Sequence, residues 1–282
     1  MRINHNVASM ITQGSLYQTS NALSKSLARL STGLRINNAS DDAAGLAISE
    51  NLRTQVRGAA QAQKNVQDGI AALNIAEGAA NEISAILQRM RELSIQAAND
   101  TLTSVERGYT NQEFASLRSE IDRIAAVTNY NNMGLISSSS SRFGVAGANV
   151  LWIDANHTVG TDSITITINT LTSTSIAPSS FATRTITTQT DAQTAISELD
   201  TAINSVNSMR ANVGALINRL EHAVNNLMVS ETNQTAAESL IRDVDFASET
   251  SNFTKNQILM QSATAMLAQS NVIPNMVLTL LQ

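Results

Sequence analysis

The chain contains no cysteine, only two prolines among 282 residues, and 3% aromatic residues. Disulfides, thiol nucleophiles and thiolate ligands are therefore excluded. An enzyme core draws much of its buried area from Phe, Tyr and Trp, which are scarce here. With proline confined to Pro178 and Pro274, little stands in the way of long helices. Charge is also sparse: 15% of residues are charged, the net is −5, and no cluster of Lys and Arg occurs. Phosphate backbones need such a cluster, so nucleic acid is not an expected partner. No apolar run approaches the roughly 20 residues that span a bilayer, and no membrane insertion is expected. The stretch Met1–Asn6 lacks the apolar core of a secretory signal. A cysteine-free chain suits work outside the cell, and this one would leave by a route other than a cleaved signal.

Catalytic patterns are missing too. His5, His157 and His222 are scattered, with no H-E-x-x-H spacing, no phosphate-cradling glycine loop and no G-x-S-x-G elbow. The pair Asp41-Asp42 precedes a helical pattern, where capping accounts for it. No enzyme activity, metal or cofactor is expected.

What the chain does have is two long polar ends with apolar residues at coiled-coil spacing. Leu16, Leu23, Leu27, Leu30 and Leu34 form a 4-3 ladder with Ser20 as its polar rung. Ile196, Leu199, Ile203, Val206, Val213, Leu216, Leu220, Val224 and Leu227 form another. Such narrow stripes need partners to cover them.

A thin helix is expected over about Ile3–Leu34, broken by Gly33, Asn37 and Asn38. Ser40 or Asp41 would cap the next helix, which runs to about Ala98 with Val66, Ile70, Leu73, Ala76, Ala80, Ile83, Leu87, Met90 and Leu93 inward. Nearly sixty residues would make a rod of roughly 85–90 Å. Thr103 and Glu106 form a capping box for a shorter helix, ending near Asn129 and folded back on the rod.

From Ser137 to Thr190 the period changes. Ser163–Ile168 alternates as a half-buried strand does, and Thr183–Thr187 repeats this weakly, so a β-element of two to four strands is expected. Thr190–Gln193 reads as a capping box opening a helix to about Thr232. A linker and a thinner helix with Ile258, Leu259, Met266 and Leu267 follow, kinked or ended by Pro274. The fold class is mainly α: a long antiparallel coiled-coil bundle pairing the two terminal segments, with a small β-hairpin element in the middle.

Several separated blocks resemble the bacterial flagellins. They are Arg29–Asn37 with Ser40–Gly45, Asn65–Gly69 with Glu77-Gly78, and Leu87–Leu93 near the start. Arg242–Asp245, Gln257–Leu259, Ala268–Asn271 and the tail after Pro274 do the same near the end. The likeness spans roughly 1–135 and 190–282; the short middle shows none. It implies a secreted filament subunit for swimming motility, held together by coiled-coil packing of terminal helices. Residues 1–40 and 236–282 would form an inner filament-core domain. Residues 41–136 and 190–235 would form a rod domain, with 137–189 as its surface-facing β-rich element.

The resemblance also implies site residues. The filament interface would include Leu16, Leu23, Leu27, Leu30, Leu34, Ile258, Leu259, Met266 and Leu267, with Arg29, Arg35, Asp41 and Asp42 in a connecting spoke. Gln88, Arg89, Leu93, Gln96 and Glu113 match positions bound by the Toll-like innate receptor for flagellin. Leu278, Leu280 and Leu281 resemble the tail read by inflammasome sensors. Implied partners are further copies of the chain, the flagellar export machinery, a flagellin chaperone, and the filament cap and junction proteins. A hook–filament junction protein and a secreted adhesin using the central region are the alternatives.

Overall fold

The structure, a computed structural model, describes residues 5–137, 150–156 and 162–280. Residues Ser138–Ser141, His157 and Leu281 lie outside the described residues. The described chain is mainly helical: α1 (Val7–Thr32), α2 (Ala43–Ala97), α3 (Ser104–Val127), α4 (Gln189–Arg242) and α5 (Phe246–Leu280). The strands are short: β1 (Asn129–Tyr130), β2 (Met133–Gly134), β3 (Val150–Trp152) and β4 (Ser163–Thr165). Two compact units result, one from Met1–Thr54 with Thr232–Gln282, the other from Gln55–Glu231.

The second unit contains a continuous apolar core. Its α2 row steps by three, four or seven residues through Ala59, Ala62, Val66, Leu73, Ala76, Ala80, Ile83, Leu87, Met90 and Ala97. The α4 row does likewise through Ala192, Ala195, Leu199, Ala202, Val206, Met209, Val213, Leu220 and Leu227. That periodicity keeps one seam facing its partner along many turns. Polar links tie the helices antiparallel: Gln63 Nε2 donates to Glu231 at 2.7 Å, and Arg91 Nε to Asp200 at 2.7 Å. Glu77 and Arg210 approach to 3.6 Å between these two.

The hairpin of α2 and α3 is as expected. Arg107 closes it by donating to the carbonyls of Ala97 at 2.8 Å and Asn99 at 2.9 Å, acceptors that the end of α2 leaves open. Thr103 and Glu106 form the expected capping box. After α3, the β1–β2 turn places Asn131 and Asn132 at φ 48° and 60°. Asparagine is enriched in that left-handed region, as a tight hairpin turn requires.

The middle segment packs on this frame. β3 and β4 pair antiparallel, Val150 opposite Thr165. Two glycines let this hairpin approach α2: a Cβ on Gly58 would lie 2.5 Å from the Ala155 Cβ, and one on Gly69 2.6 Å from Leu151 Cδ2. Ile166, Ile168, Leu171, Ile176, Phe181 and Ile186 then bury one side of the descending chain, with Phe181 edge-on to Phe114 at 6.4 Å.

Several expectations are corrected. Thr183–Thr187 is not a strand: Ser179–Thr183 is a 3-10 turn, and the chain beyond it is unpaired. The Ile186 N–H donates to Asn111 Oδ1 at 2.9 Å, so its bond goes to a helix side chain instead of a ladder. Ser163–Ile168 is a strand only to Thr165. The cap of α2 is Asp42, whose Oδ1 accepts from Gly45 N–H at 2.9 Å. The cap pair of α4 is Thr188 with Asp191, two residues before the expected box. α4 also continues past Thr232 to Arg242, since Ala236, Ala237, Glu238 and Leu240 favour helix and no Gly or Pro intervenes. α5 runs through Pro274 to Leu280.

Candidate assembly interface

In the first unit, α1 and α5 pack together as an antiparallel pair. Asn6 caps α1, accepting from Ser9 N–H at 3.0 Å, while its Nδ2 donates to the Ser270 carbonyl at 3.0 Å. Ser9 Oγ reaches Asn271 at 3.1 Å. At the other end Arg29 pairs with the buried Glu249 at 3.6 Å. The Asn6 bond also explains how α5 tolerates Pro274. Proline has no N–H to give the carbonyl four residues back, which is Ser270, and Asn6 supplies that donor.

The covered face of α1 runs through Ser9, Thr12, Leu16, Thr19, Leu23, Ser26 and Leu30. On α5 it runs through Glu249, Phe253, Asn256, Met260, Ala263, Leu267 and Ser270. Each helix thus offers one heptad row of mostly large apolar residues and one of mostly small or polar residues. The anchored ends set a register that places Phe253 level with Ser26 and Leu16 level with Ala263, large against small. Thr12 and Thr19 hydroxyls donate to the carbonyls of Ala8 and Ser15, so they need no partner across the seam.

This seam is one residue off the leucine ladder. Leu16, Leu23, Leu30 and Leu34 are half-buried, but Leu27 is 57% exposed while Ser26 is 5% exposed. Ser20 is outside as well. Ile258, Leu259 and Met266 are exposed and Leu267 half-buried. Sequence reasoning missed a second apolar set on the α1 surface: Val7, Met10, Ile11 and Tyr17, all exposed. Their mutual spacing places them on a flank away from the seam, a signal hidden by the stronger leucine ladder. Among the described residues of this unit, Ile36 is the single fully buried apolar side chain.

Gly33 ends α1 in the left-handed conformation, φ 73°. Beyond it the chain adds a bridge to the connection between α4 and α5: Arg35 N–H donates to the Arg242 carbonyl at 2.7 Å and Val244 N–H to the Gly33 carbonyl at 3.0 Å. Arg35 also donates through its guanidinium to the Ile241 carbonyl. Arg242 in turn bonds Glu50 at 2.7 Å. Asp41 accepts from the N–H groups of Asn38 and Asn37 at 3.2 and 3.3 Å and stands 3.8 Å from Lys25. The Asn38 amide, then that of Asn37 and the Lys25 and Arg29 charges, hold its carboxyl below the usual aspartate value against a smaller opposing effect of burial. Arg29, Arg35, Asp41 and Asp42 therefore all have roles inside the single chain.

The remaining candidates lie elsewhere. Arg89 pairs with Glu113 at 2.9 Å and Glu92 at 3.0 Å on an exposed face of α2 and α3, which holds the Arg89 guanidinium above its usual value. Gln88 and Gln96 are exposed on α2, whereas Leu93 is buried in the core. Leu278 and Leu280 fall in the backbone of α5, their side chains outside what the structure describes. Among the described residues no cluster of His, Cys, Asp and Glu could hold a metal ion, and no helix is long and apolar enough to cross a membrane.

Two helical ends, one sealed three-helix core and a helix pair rich in uncovered apolar side chains define a polymer-forming structural protein. Residues 3–141 match the bacterial flagellin N-terminal helical region and residues 196–281 the bacterial flagellin C-terminal helical region. A flagellin of Bacillus subtilis (strain 168) is 44% identical across the whole of both chains. Flagellin FlaB2 of Treponema pallidum (strain Nichols) is 41% identical, again over both complete chains. The crystal structure of Bacillus cereus flagellin overlaps 62% of this chain and 94% of that one at 30% identity, TM-score 0.48. The chain belongs to the bacterial flagellins and is a structural subunit of the flagellar filament, which it builds by self-polymerisation. Its place is the extracellular filament. Nothing favours the junction-protein or adhesin alternatives.

Proposed function

We propose that the filament is held together chiefly by the first unit, through the apolar side chains its helix pair leaves uncovered. Neighbouring copies bury Leu27, Ile258, Leu259 and Met266 together with Val7, Met10, Ile11 and Tyr17. The half-covered Leu16, Leu23, Leu30, Leu34 and Leu267 lose their remaining water at the same contacts. The observation that carries this is the contrast, among the described residues of that unit, between one buried apolar residue and the broad exposed set around it. An isolated helix pair with so little core is marginal in water, so its ordering is coupled to assembly. Copies joined head to tail without closure give a helical filament.

In this reading residues 1–40 and 236–282 line the filament core. Residues 41–136 and 190–235 form the surrounding rod, and 137–189 face outward. Arg29, Arg35, Asp41 and Asp42 belong to the connecting spoke, which takes part in the contacts between copies. Subunits travel through the flagellar export machinery, accompanied by a chaperone, and meet the cap and junction proteins at the filament ends. Gln88, Arg89, Gln96 and Glu113 present a polar face to a host Toll-like receptor, with Leu93 acting from beneath as packing support. The tail at Leu278, Leu280 and Leu281 serves core packing and sensor recognition.

Removing residues 1–34 or 247–282 should leave a soluble, helical second unit that does not elongate filament seeds. Electron microscopy of seeded mixtures reads the result. Normal growth of filaments from either shortened chain would overturn the proposal.

A further inference from the structure

Among the described methionines exposure runs from sealed to open, with Met133 and Met260 half-buried. Met90 and Met209 are sealed in the core of the second unit, at 0% and 1% exposure. Met10 and Met266 are 66% and 62% exposed, one on each helix of the first unit. Both belong to the end of the helix pair marked by the Asn6–Ser270 and Ser9–Asn271 bonds. Ile11 is exposed beside Met10, so the thioether sits within an apolar surface. Methionine adapts its shape readily at contacts, but its sulfur is open to oxidation wherever solvent reaches it.

We infer that Met10 and Met266 are modification sites at which a hydroperoxide takes unassembled subunits out of polymerisation. The sulfur lone pair attacks one peroxide oxygen, the O–O bond breaks, and an S–O bond forms. Sulfur loses two electrons, and the other peroxide oxygen leaves as water or an alcohol after taking up a proton. The product is a sulfoxide, a strong acceptor that finds no donor when pressed against an apolar neighbour. Every subunit in a helical polymer repeats the same contact, so the lesion acts at each addition. The assembled filament excludes the oxidant from both sulfurs. The inference rests on the reading that neighbouring copies cover the α1–α5 pair.

The test uses full-length chain and hydrogen peroxide, with sulfoxides located by peptide mass spectrometry and elongation of seeds followed in parallel. In monomer, Met10 and Met266 should oxidise at least about tenfold faster than Met90 and Met209, and the oxidised monomer should need about tenfold more protein to elongate seeds. In filaments both sulfurs should be protected. The double variant Met10→Leu with Met266→Leu, measured against its own untreated sample, should lose no elongation on peroxide treatment, which separates these sites from Met228, also exposed. Equal oxidation in monomer and filament would refute the coverage of this helix pair. Protection in filaments combined with normal elongation of oxidised monomer, or equal inactivation of the double variant, would overturn this inference alone.

Discussion

The two compact units use the same helical periodicity for opposite purposes. In the second unit three helices and a descending chain close over Leu73, Ile83, Leu87, Phe114 and Phe181, leaving them dry. In the first unit two helices meet along a seam of Ser, Thr, Asn and Ala alternating with Leu, Phe and Met, and most large apolar residues remain wet. A heptad pattern by itself does not distinguish a core from an interface. The number of helices sharing it does, because two helices can cover only one flank of each other.

That contrast predicts where substitutions act. Leu87→Ala opens a cavity in the sealed unit and should cost about 3 kcal/mol of stability, seen by denaturant unfolding. Leu27→Ala should leave unfolding of the monomer nearly unchanged while slowing seeded elongation. Comparable losses of stability in both variants would erase the distinction between the units.

Glu198 offers the next largest effect. Arg184 donates to it twice and Ser180 Oγ once at 2.7 Å, tying the middle segment to α4. The Arg184 hydrogen bonds, chiefly, hold its carboxyl below the usual glutamate value against burial, which acts the other way. A depressed carboxylate stabilises fully above the ordinary value of about 4.3 and loses that contribution as pH falls through its lower folded value. Glu198→Gln should cost about 2 kcal/mol at neutral pH and flatten the fall in melting temperature below about pH 4. An unchanged pH profile would show that this cluster does not hold the middle segment.

Asn6→Ala sharpens the comparison from the other side. It removes the cap of α1 and the donor to the Ser270 carbonyl, at a cost of about 1 kcal/mol confined to the first unit. Hydrogen exchange should quicken in α1 and α5 and not in residues 55–97 of α2 or 189–231 of α4; uniform quickening would contradict two separable units.

The smallest expected effect concerns the glycines of α2. Gly78 faces open space, so Gly78→Ala should stabilise by roughly 0.5–1 kcal/mol through helix propensity. Gly58→Ala should forfeit that gain, because its Cβ would press on Ala155, whose backbone Cα lies 3.1 Å away. Loss of exchange protection at Ile153 N–H, which donates to the Asp162 carbonyl, would report the displaced hairpin. Equal gains at both glycines would mean the hairpin yields without cost.

Much of this was legible in the chain. The Thr103–Glu106 box, the stop at Gly33, the α2–α3 hairpin and the apolar rows of α2 and α4 follow from local propensity and period. What could not be read was which of two adjacent rows faces inward. Ile196 and Ile203 look like the core of α4, yet Ala195 and Ala202 are the fully buried positions and the isoleucines flank them. The same shift sets Ser26 inside and Leu27 outside. Closely approaching helices favour small residues at the line of contact and large ones beside it, and the bulkier row dominates any pattern in sequence. Likewise Ser163–Ile168 and Thr183–Thr187 alternate because one side is buried, and alternation does not reveal whether a neighbouring strand takes up the backbone bonds.

The amino-acid order alone determined that this chain is long-helical, that its helices carry apolar stripes, and where most of them start. Those properties depend on residues within a few positions of one another. Only the tertiary structure decided that one set of stripes is sealed and the other left open, that Asp42 caps while Asp41 holds a turn, and that Asn6 carries α5 past Pro274. Each of these depends on a partner far away in the chain, and covalent neighbours have no means of specifying it.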